Sequence, residues 1–344
     1  MRKIADFFLC FILLILAAWQ IPWVINFIRT PDTSQVYFAI YSAAADDFIC
    51  NQLDENRKLQ RVGTDGRVYS EAEADSLLPC FFMRQLVADG RFPDSIQGVA
   101  VTPHGVQQTN LTIRLNPRDI NGNLIELYPL MESMPKRVDL EMPDDVFRIT
   151  SEGIEFIAVE TNQIKEQKSR MFTEALQAKG FRFPALWVSG NPSTRKNYDE
   201  GYLLLDSNHR LFNLKRCAGR PFVHDFAIPE GITLTHAFAI EPNARQFRGL
   251  ATDTGNRLYV LTTDYRLVLT GVESFQPTTD RILIIGNMFD WTVAVTDDYA
   301  IHHYALDASD YHLIRRLDRT FEEAADLPGL HFTSADDKFC YPRF

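Results

Sequence analysis

Reaction motifs and positive charge are the two things this sequence has least of. No glycine-rich phosphate loop, no G-x-S-x-G nucleophile elbow and no H-E-x-x-H pair occurs. P-loop phosphoryl transfer, α/β-type serine hydrolysis and zincin proteolysis therefore have no support in the sequence. Lysine and arginine number 35 against 45 aspartates and glutamates, a net charge of −10. Nucleic acid and anionic lipid surfaces select basic patches, so neither is an expected partner of the body. The 5 cysteines show no zinc-site spacing. The histidines are scattered. His302 and His303 are adjacent in a predicted strand, where neighbours face opposite sides. His224-Asp225 matches the HD pair of metal phosphohydrolases in two letters only.

Long apolar runs are scarce too, with one exception. Phe7–Ile28 (FFLCFILLILAAWQIPWVINFI) carries no charge, and Gln20 and Asn26 are its strongly polar members. As a helix of about 22 residues it extends about 33 Å, against a hydrocarbon core of about 30 Å. Pro22 is tolerable in a spanning helix, and Trp19 and Trp23 suit a membrane–water boundary. Arg2 and Lys3 precede the run and Arg29 follows it. The charge rule places the N-terminus in the cytoplasm and the body on the periplasmic side of a bacterial inner membrane, as a single-pass protein. A cleaved signal peptide is the rival, but Leu16 or Ile15 would stand where a small residue is wanted. The expected domains are an anchor over 1–30 and an exported β-rich body over 31–344, with a helical insertion at about 70–90.

In an oxidising compartment Cys50, Cys80, Cys217 and Cys340 allow two disulfides in three pairings. Cys50–Cys80 with Cys217–Cys340 is the expected arrangement, and buried thiols are the alternative. VYFAIYS at 36–42 reads as a strand, and KLQRVGTDGRVYS as a hairpin turning at Asp65-Gly66. Ser70-Glu-Ala-Glu73 is a capping box. Pro79 suits the first turn of a second helix with the stripe Leu78, Phe81, Phe82, Leu86, ended by Gly90. VQQTNLTIRL reads as a strand that turns near Asn121-Gly122 into NLIELY. GIEFIAVE is a strand, a helix follows at about 163–179 with Ile164, Met171, Phe172, Ala175 and Leu176 at helical spacing, and FPALWVS returns to strand.

Two segments resemble each other, Asp206-SNHRLFNL and Asp253-TGNRLYVL, and WTVAVTDDYAIHHYAL is a looser third copy turning at Asp297-Asp298. With Asn116 and Glu160 in the same phase, the period is about 45 residues, the spacing of β-propeller blades. The predicted fold is mainly β, a propeller-like or repeated β-meander body, with a β-sandwich plus helical insertion as the alternative. Thr320-Phe-Glu-Glu323 predicts a short capped helix. The KFCYPRF tail or residues 36–42 would complete the last blade.

On a shared rim Glu160, Asp206, Asp253, Asp297 and Asp298 would form an acidic ring able to hold Ca²⁺ or a cationic ligand. The simpler reading is that each aspartate makes its own turn through local amides. A cell-envelope hydrolase or lyase acting on glycans or peptides, with Asp206, Asp253 and Asp297 of this rim as acid and base, is the enzymatic alternative. Asn110-Leu-Thr112 fits the glycosylation sequon.

The segment LLPCFFMRQLVADGRFPDSIQG, residues 77–98, with its LP-x-FF-x-RQL and FPDSI-x-G elements, resembles a stretch of uncharacterised bacterial proteins. Those have a similar length, one N-terminal anchor and an exported body, and are encoded near ABC-type transporters. The resemblance implies an accessory role beside transporter subunits and supplies no catalytic residues.

Overall fold

The computed structural model describes residues 2–29, 38–54, 58–122, 125–137, 139–321, 329–332 and 342–343. Helix α1 (Arg2–Arg29) contains Pro22 without breaking. Over Lys3–Ile25 it is long and apolar enough to cross a membrane, and none of it is buried by the body. Phe7, Phe8 and Leu14 are more than half exposed. Gln20 joins it to the C-terminal segment: Nε2 donates to the Leu330 carbonyl at 3.1 Å and Oε1 accepts the Leu330 amide at 2.8 Å, with Trp23 beside Gly329.

The first sheet is an antiparallel meander of β1 (Phe38–Ser42), β2 (Asp47–Leu53), β3 (Leu59–Gly63) and β4 (Val68–Tyr69). Its last hairpin turns at Asp65-Gly66, with Gly66 at φ +83°, the conformation glycine adopts without a Cβ clash. Ser70 then caps α2 (Glu71–Leu77), the Ser70 amide donating to Glu73 at 2.9 Å and Ser70 Oγ accepting the Glu73 amide. The second helix, α3 (Met83–Ala88), starts later than expected, so Pro79 lies in the connection. Leu78 and Leu86 are buried, whereas Phe81 is largely exposed.

A two-stranded hairpin follows, β5 (Ser95–Ile96) with β6 (Val99–Ala100), then α4 (Pro103–Thr109), β7 (Leu111–Leu115) and α5 (Pro117–Asn121). Here the structure corrects the expected hairpin at Asn121-Gly122. Thr102 caps α4 by accepting the Gly105 amide, Pro103 begins it, and Gly122 ends α5. Strands β8 (Asp145–Ile149) and β9 (Ile154–Ala158) form a ribbon covered by α6 (Glu166–Ala178). Phe172 and Leu176 of α6 are buried, and Ile164 and Met171 face outward.

Three further meanders complete the body. The second is β10 (Ala185–Gly190), β11 (Tyr202–Asp206), β12 (Leu211–Cys217) and β13 (Arg220–Asp225). The third is β14 (Leu234–Ala239), β15 (Phe247–Asp253), β16 (Leu258–Thr262) and β17 (Leu267–Leu269). The fourth is β18 (Arg281–Gly286), β19 (Asp290–Thr296), β20 (Ala300–Asp307) and β21 (Leu313–Thr320). A last hairpin pairs β22 (His331–Phe332) with β23 (Pro342–Arg343).

Sheet faces explain the apolar runs. In β11, Leu203 and Leu205 pack with Ala251 and Tyr259 of the third sheet, while Leu204 faces Phe147, Phe156 and Phe172 on the other side. In β15 and β16, Leu250 and Val260 face Ile284 and Val293 of the fourth sheet, and Ala251 and Leu261 face the second. Side chains alternate with period two, so a sheet covered on both faces reads as continuous apolar sequence. Each fully buried phenylalanine contributes about 1.5–3 kcal/mol. Beyond the fourth sheet lies the first: Tyr41, Phe48 and Cys50 pack on Ala305. The sheets thus stack face to face as propeller blades do, and the first in sequence adjoins the last.

The strand that widens the fourth sheet is β7, paired with β18 from Ile282↔Leu115 to Gly286↔Leu111. Neither residues 38–42 nor the C-terminal hairpin fills that place. Asn116 is the N-cap of α5 and Glu160 sits in the turn after β9, so the regular hairpin phase holds at Asp206, Asp253 and Asp297 and fails at the other two. Thr320 ends β21; most of the helix expected there lies outside the described residues.

Candidate functional site

The two matching aspartates build the same turn. Asp206 Oδ1 accepts the amides of Asn208 and Arg210 at 2.9 and 2.8 Å. Asp253 Oδ1 accepts those of Gly255 and Arg257 at 2.9 and 3.0 Å. In both, the third residue on (His209, Asn256) takes a positive φ. The second oxygens are committed as well: Asp206 Oδ2 accepts the Arg182 amide, and Asp253 Oδ2 accepts from Arg257 Nε and the Tyr259 hydroxyl. Asp297 caps a shorter turn through the Tyr299 and Ala300 amides at 2.7 Å, and Asp298 is exposed beside it. Both Asp206 and Asp253 are buried. Burial alone would raise the Asp253 pKa, but the hydrogen bonds from Arg257, Tyr259 and Gly255 hold it below the ordinary carboxylate value.

Among the described residues these aspartates form no common metal-sized cluster. The trio whose atoms approach within 4.8 Å is instead Asp307, Asp310 and His312. Each member is engaged locally: Asp307 accepts from the Ser309 amide at 2.8 Å, and Asp310 faces His312 Nδ1 at 2.5 Å. His302 and His303 do diverge. His302 meets Asp318 at 2.7 Å, whereas His303 is buried against the Phe48 ring. His224 stacks on Tyr265 at 3.8 Å.

Among the described residues no disulfide joins two cysteines, and the expected Cys50–Cys80 bridge is not formed. Cys50 points into the contact with Ala305, while Cys80 lies in the α2–α3 connection on the wall of a cavity. Burial pushes the Cys80 thiol up to about 12, assisted by the nearby Asp290 charge. Cys217 is half-buried at the end of β12, and Cys340 lies outside the described residues.

That cavity is the candidate site. It encloses about 650 Å³ between β1, the α2–α3 connection, β5, the start of β7 and the β18–β19 turn. The size falls within the roughly 300–1,000 Å³ of small-molecule pockets. Nine of its lining residues, from Leu77 to Gln97, belong to the segment that carried the family resemblance. Gly286 keeps the β18–β19 turn close to its neighbours, since a Cβ there would lie 2.7 Å from the Trp291 ring. Asn287 shapes the turn by accepting the Phe289 and Asp290 amides and donating Nδ2 to Asp290 Oδ1 at 3.0 Å.

Asp290 is thereby held in the cavity wall, only 6% exposed. Burial raises its pKa to about 6; the Asn287 hydrogen bond opposes the rise and the Asp307 charge adds to it. Asn110 donates Nδ2 to the Cys80 carbonyl at 2.7 Å, which leaves Oδ1 buried without a hydrogen-bond partner. Sequence reasoning singled out neither residue as a binding group. The signal that could have pointed there is the Asn287-Met-Phe-Asp290 stretch, whose Asn and Asp suit a turn, but nothing in it tells what the turn faces.

The sequence profile of a domain of unknown function (DUF4857) matches residues 38–306, from β1 to the end of β20. No curated protein matches the chain. Among solved structures, the β-propeller domain of Cps50 (Swd1) from Myceliophteria thermophila is 11% identical, with a TM-score of 0.28, over 61% of this chain and 60% of that one. Dihydro-heme d1 dehydrogenase NirN, solved in complex with DHE, is 9% identical with a TM-score of 0.25, over 80% of this chain and 69% of that one. The chain thus spans less than two thirds of the first of these. Scores of that size set no fold, and the architecture stands on the sheet pairing above.

Proposed function

The chain belongs to the DUF4857 family, a domain of unknown function, and from that premise we propose a membrane-anchored, extracytoplasmic binding or scaffold protein. It acts in the bacterial inner membrane as a non-enzymatic accessory subunit of an envelope transport complex, with ABC-type transporter subunits as partners. The observation that carries this reading is α1, an apolar helix of spanning length with no part buried by the body. Such a surface is stable only in lipid or against another spanning helix. Arg2 and Lys3 favour a cytoplasmic N-terminus, which sets the stacked sheets on the periplasmic side. Loops gathered along the edges of stacked β-sheets suit partner recognition, which asks for surface rather than a reaction centre.

The test is co-purification of the full-length protein from its own membranes in mild detergent, with partners identified by mass spectrometry. Transporter subunits should be recovered with the intact chain and lost when residues 1–30 are replaced by a cleavable signal. Recovery of the protein alone would overturn the accessory role.

A further inference from the structure

The polar groups of the cavity are unevenly matched. Several of its donors are consumed: Ser42 Oγ donates to the Leu77 carbonyl at 2.6 Å, Ser76 Oγ to the Ala72 carbonyl at 3.0 Å and Tyr41 hydroxyl to Asp46 at 2.9 Å, while Ser95, Gln97 and Thr112 also line it. Acceptors are left over. Asp290 has one side-chain partner, the neutral Asn287 amide, and Asn110 Oδ1 has none. No lysine, arginine or histidine lines the cavity among the described residues. The groups facing Asp290 are the Asp307 carboxylate across the β19–β20 pair, the Tyr41 hydroxyl from β1 and the Cys80 thiol, and none brings a positive charge. A buried carboxylate without a cation is costly, and a counter-charge supplied from outside recovers that cost.

We propose that this cavity binds a small organic cation, with a protonated amine at the Asp290 carboxylate and an apolar body against Leu78, Pro79, Phe81 and Ile96. Asn110, whose Oδ1 is unpaired, lines the same cavity. The apolar wall selects a compact hydrocarbon or aryl body over a hydrated polyamine, and the negative wall rejects carboxylates. This goes beyond the accessory role and does not depend on it, because a ligand can be measured whether or not transporter subunits co-purify.

The experiment is calorimetric titration of the full-length protein in maltoside micelles, with empty micelles subtracted. The probes are phenylbutylamine, phenylbutanol and phenylbutyrate, which share one body and differ in the head. The amine should bind about tenfold or more tighter than the alcohol, and the acid should not bind. Asp290→Asn should bring the amine down to the alcohol. Ser95→Trp, which adds bulk to the lining at an exposed position, should weaken both. Should Asp290→Asn fail to fold, the wild-type pH profile decides. Amine affinity should fall about tenfold from about pH 8 to about pH 5 as the Asp290 carboxylate is lost around pH 6, with the alcohol unchanged. Equal affinity for amine and alcohol, an amine preference surviving Asp290→Asn, or a flat pH profile would each overturn the assignment.

Discussion

Replacing Asp253 by alanine separates a turn-forming aspartate from a ligand-binding one. The substitution removes the acceptor of two backbone amides, of Arg257 and of the Tyr259 hydroxyl. Arg257 is 45% exposed, so its share is screened to about 1 kcal/mol or less. The hydroxyl and the two amides cost about 1–3 kcal/mol each when left unsatisfied, although water reaching the opened turn relieves part of that. A total loss of about 3–5 kcal/mol is expected, in the range for breaking a buried, hydrogen-bonded charge. Urea unfolding followed by tryptophan fluorescence, on the full-length protein in maltoside, measures it. The carboxyl is held below its ordinary pKa, so its contribution is complete above the unfolded value of about 3.9 and is lost as pH falls through the folded value. The wild type should therefore lose stability in that acid range more steeply than Asp253→Asn. A loss below about 1 kcal/mol in Asp253→Ala would refute the turn-forming role and return Asp253 to the list of ligand groups.

Three further experiments test the packing. His303, lowered to about 4 by burial against Phe48, should make the protein less stable as pH drops from about 6.5 to about 4, by up to about 3 kcal/mol, because the unfolded chain takes up the proton first; His303→Phe should flatten that part of the urea–pH profile. Gly201→Ala should cost about 2 kcal/mol or more in the same assay, since φ is +68° and a Cβ would lie 2.1 Å from the Leu214 carbonyl oxygen. Lys196→Met should cost about 3–5 kcal/mol by stranding Asp199 and Glu241, which are buried and approach Lys196 Nζ at 2.6 and 2.7 Å; a double-mutant cycle with Glu241→Leu should show strong coupling.

Local signals were legible where their cause was local. Ser70 and Glu73 are three residues apart, and the capping box needs nothing else. The Asp206 and Asp253 hairpins are likewise written in a few consecutive residues, and the matching hydrogen bonds explain why the two segments look alike. Thr102 and Pro103 carry a cap signal for α4, but the β-branched stretch after Asn110 favours one long strand by propensity. What β7 pairs with was not legible at all. Its partner β18 lies far along the chain, and no property of LTIRL distinguishes an added edge strand from a hairpin arm.

The same division bears on the recurring aspartates. A residue that recurs at equivalent turns is repeated because every turn needs it, and both carboxylate oxygens of Asp206 and of Asp253 already accept hydrogen bonds from their own hairpins and neighbours. Asn110 Oδ1, an acceptor left over after folding, lies where the repeat is interrupted. The helical insertion, α4 and β7 break the succession of meanders between the first and second full sheets, and they bring Cys80 and Asn110 against the β18–β19 turn. There Asp290 retains a carboxylate that its neighbours only partly satisfy, at the cost of a pKa raised to about 6. A chain satisfied by its own turns has little reason to leave a buried charge unmatched unless something else matches it. If the amine titration fails at Asp290, that inference fails with it, while the turn chemistry of Asp253 and the exposure of α1 stand on separate observations.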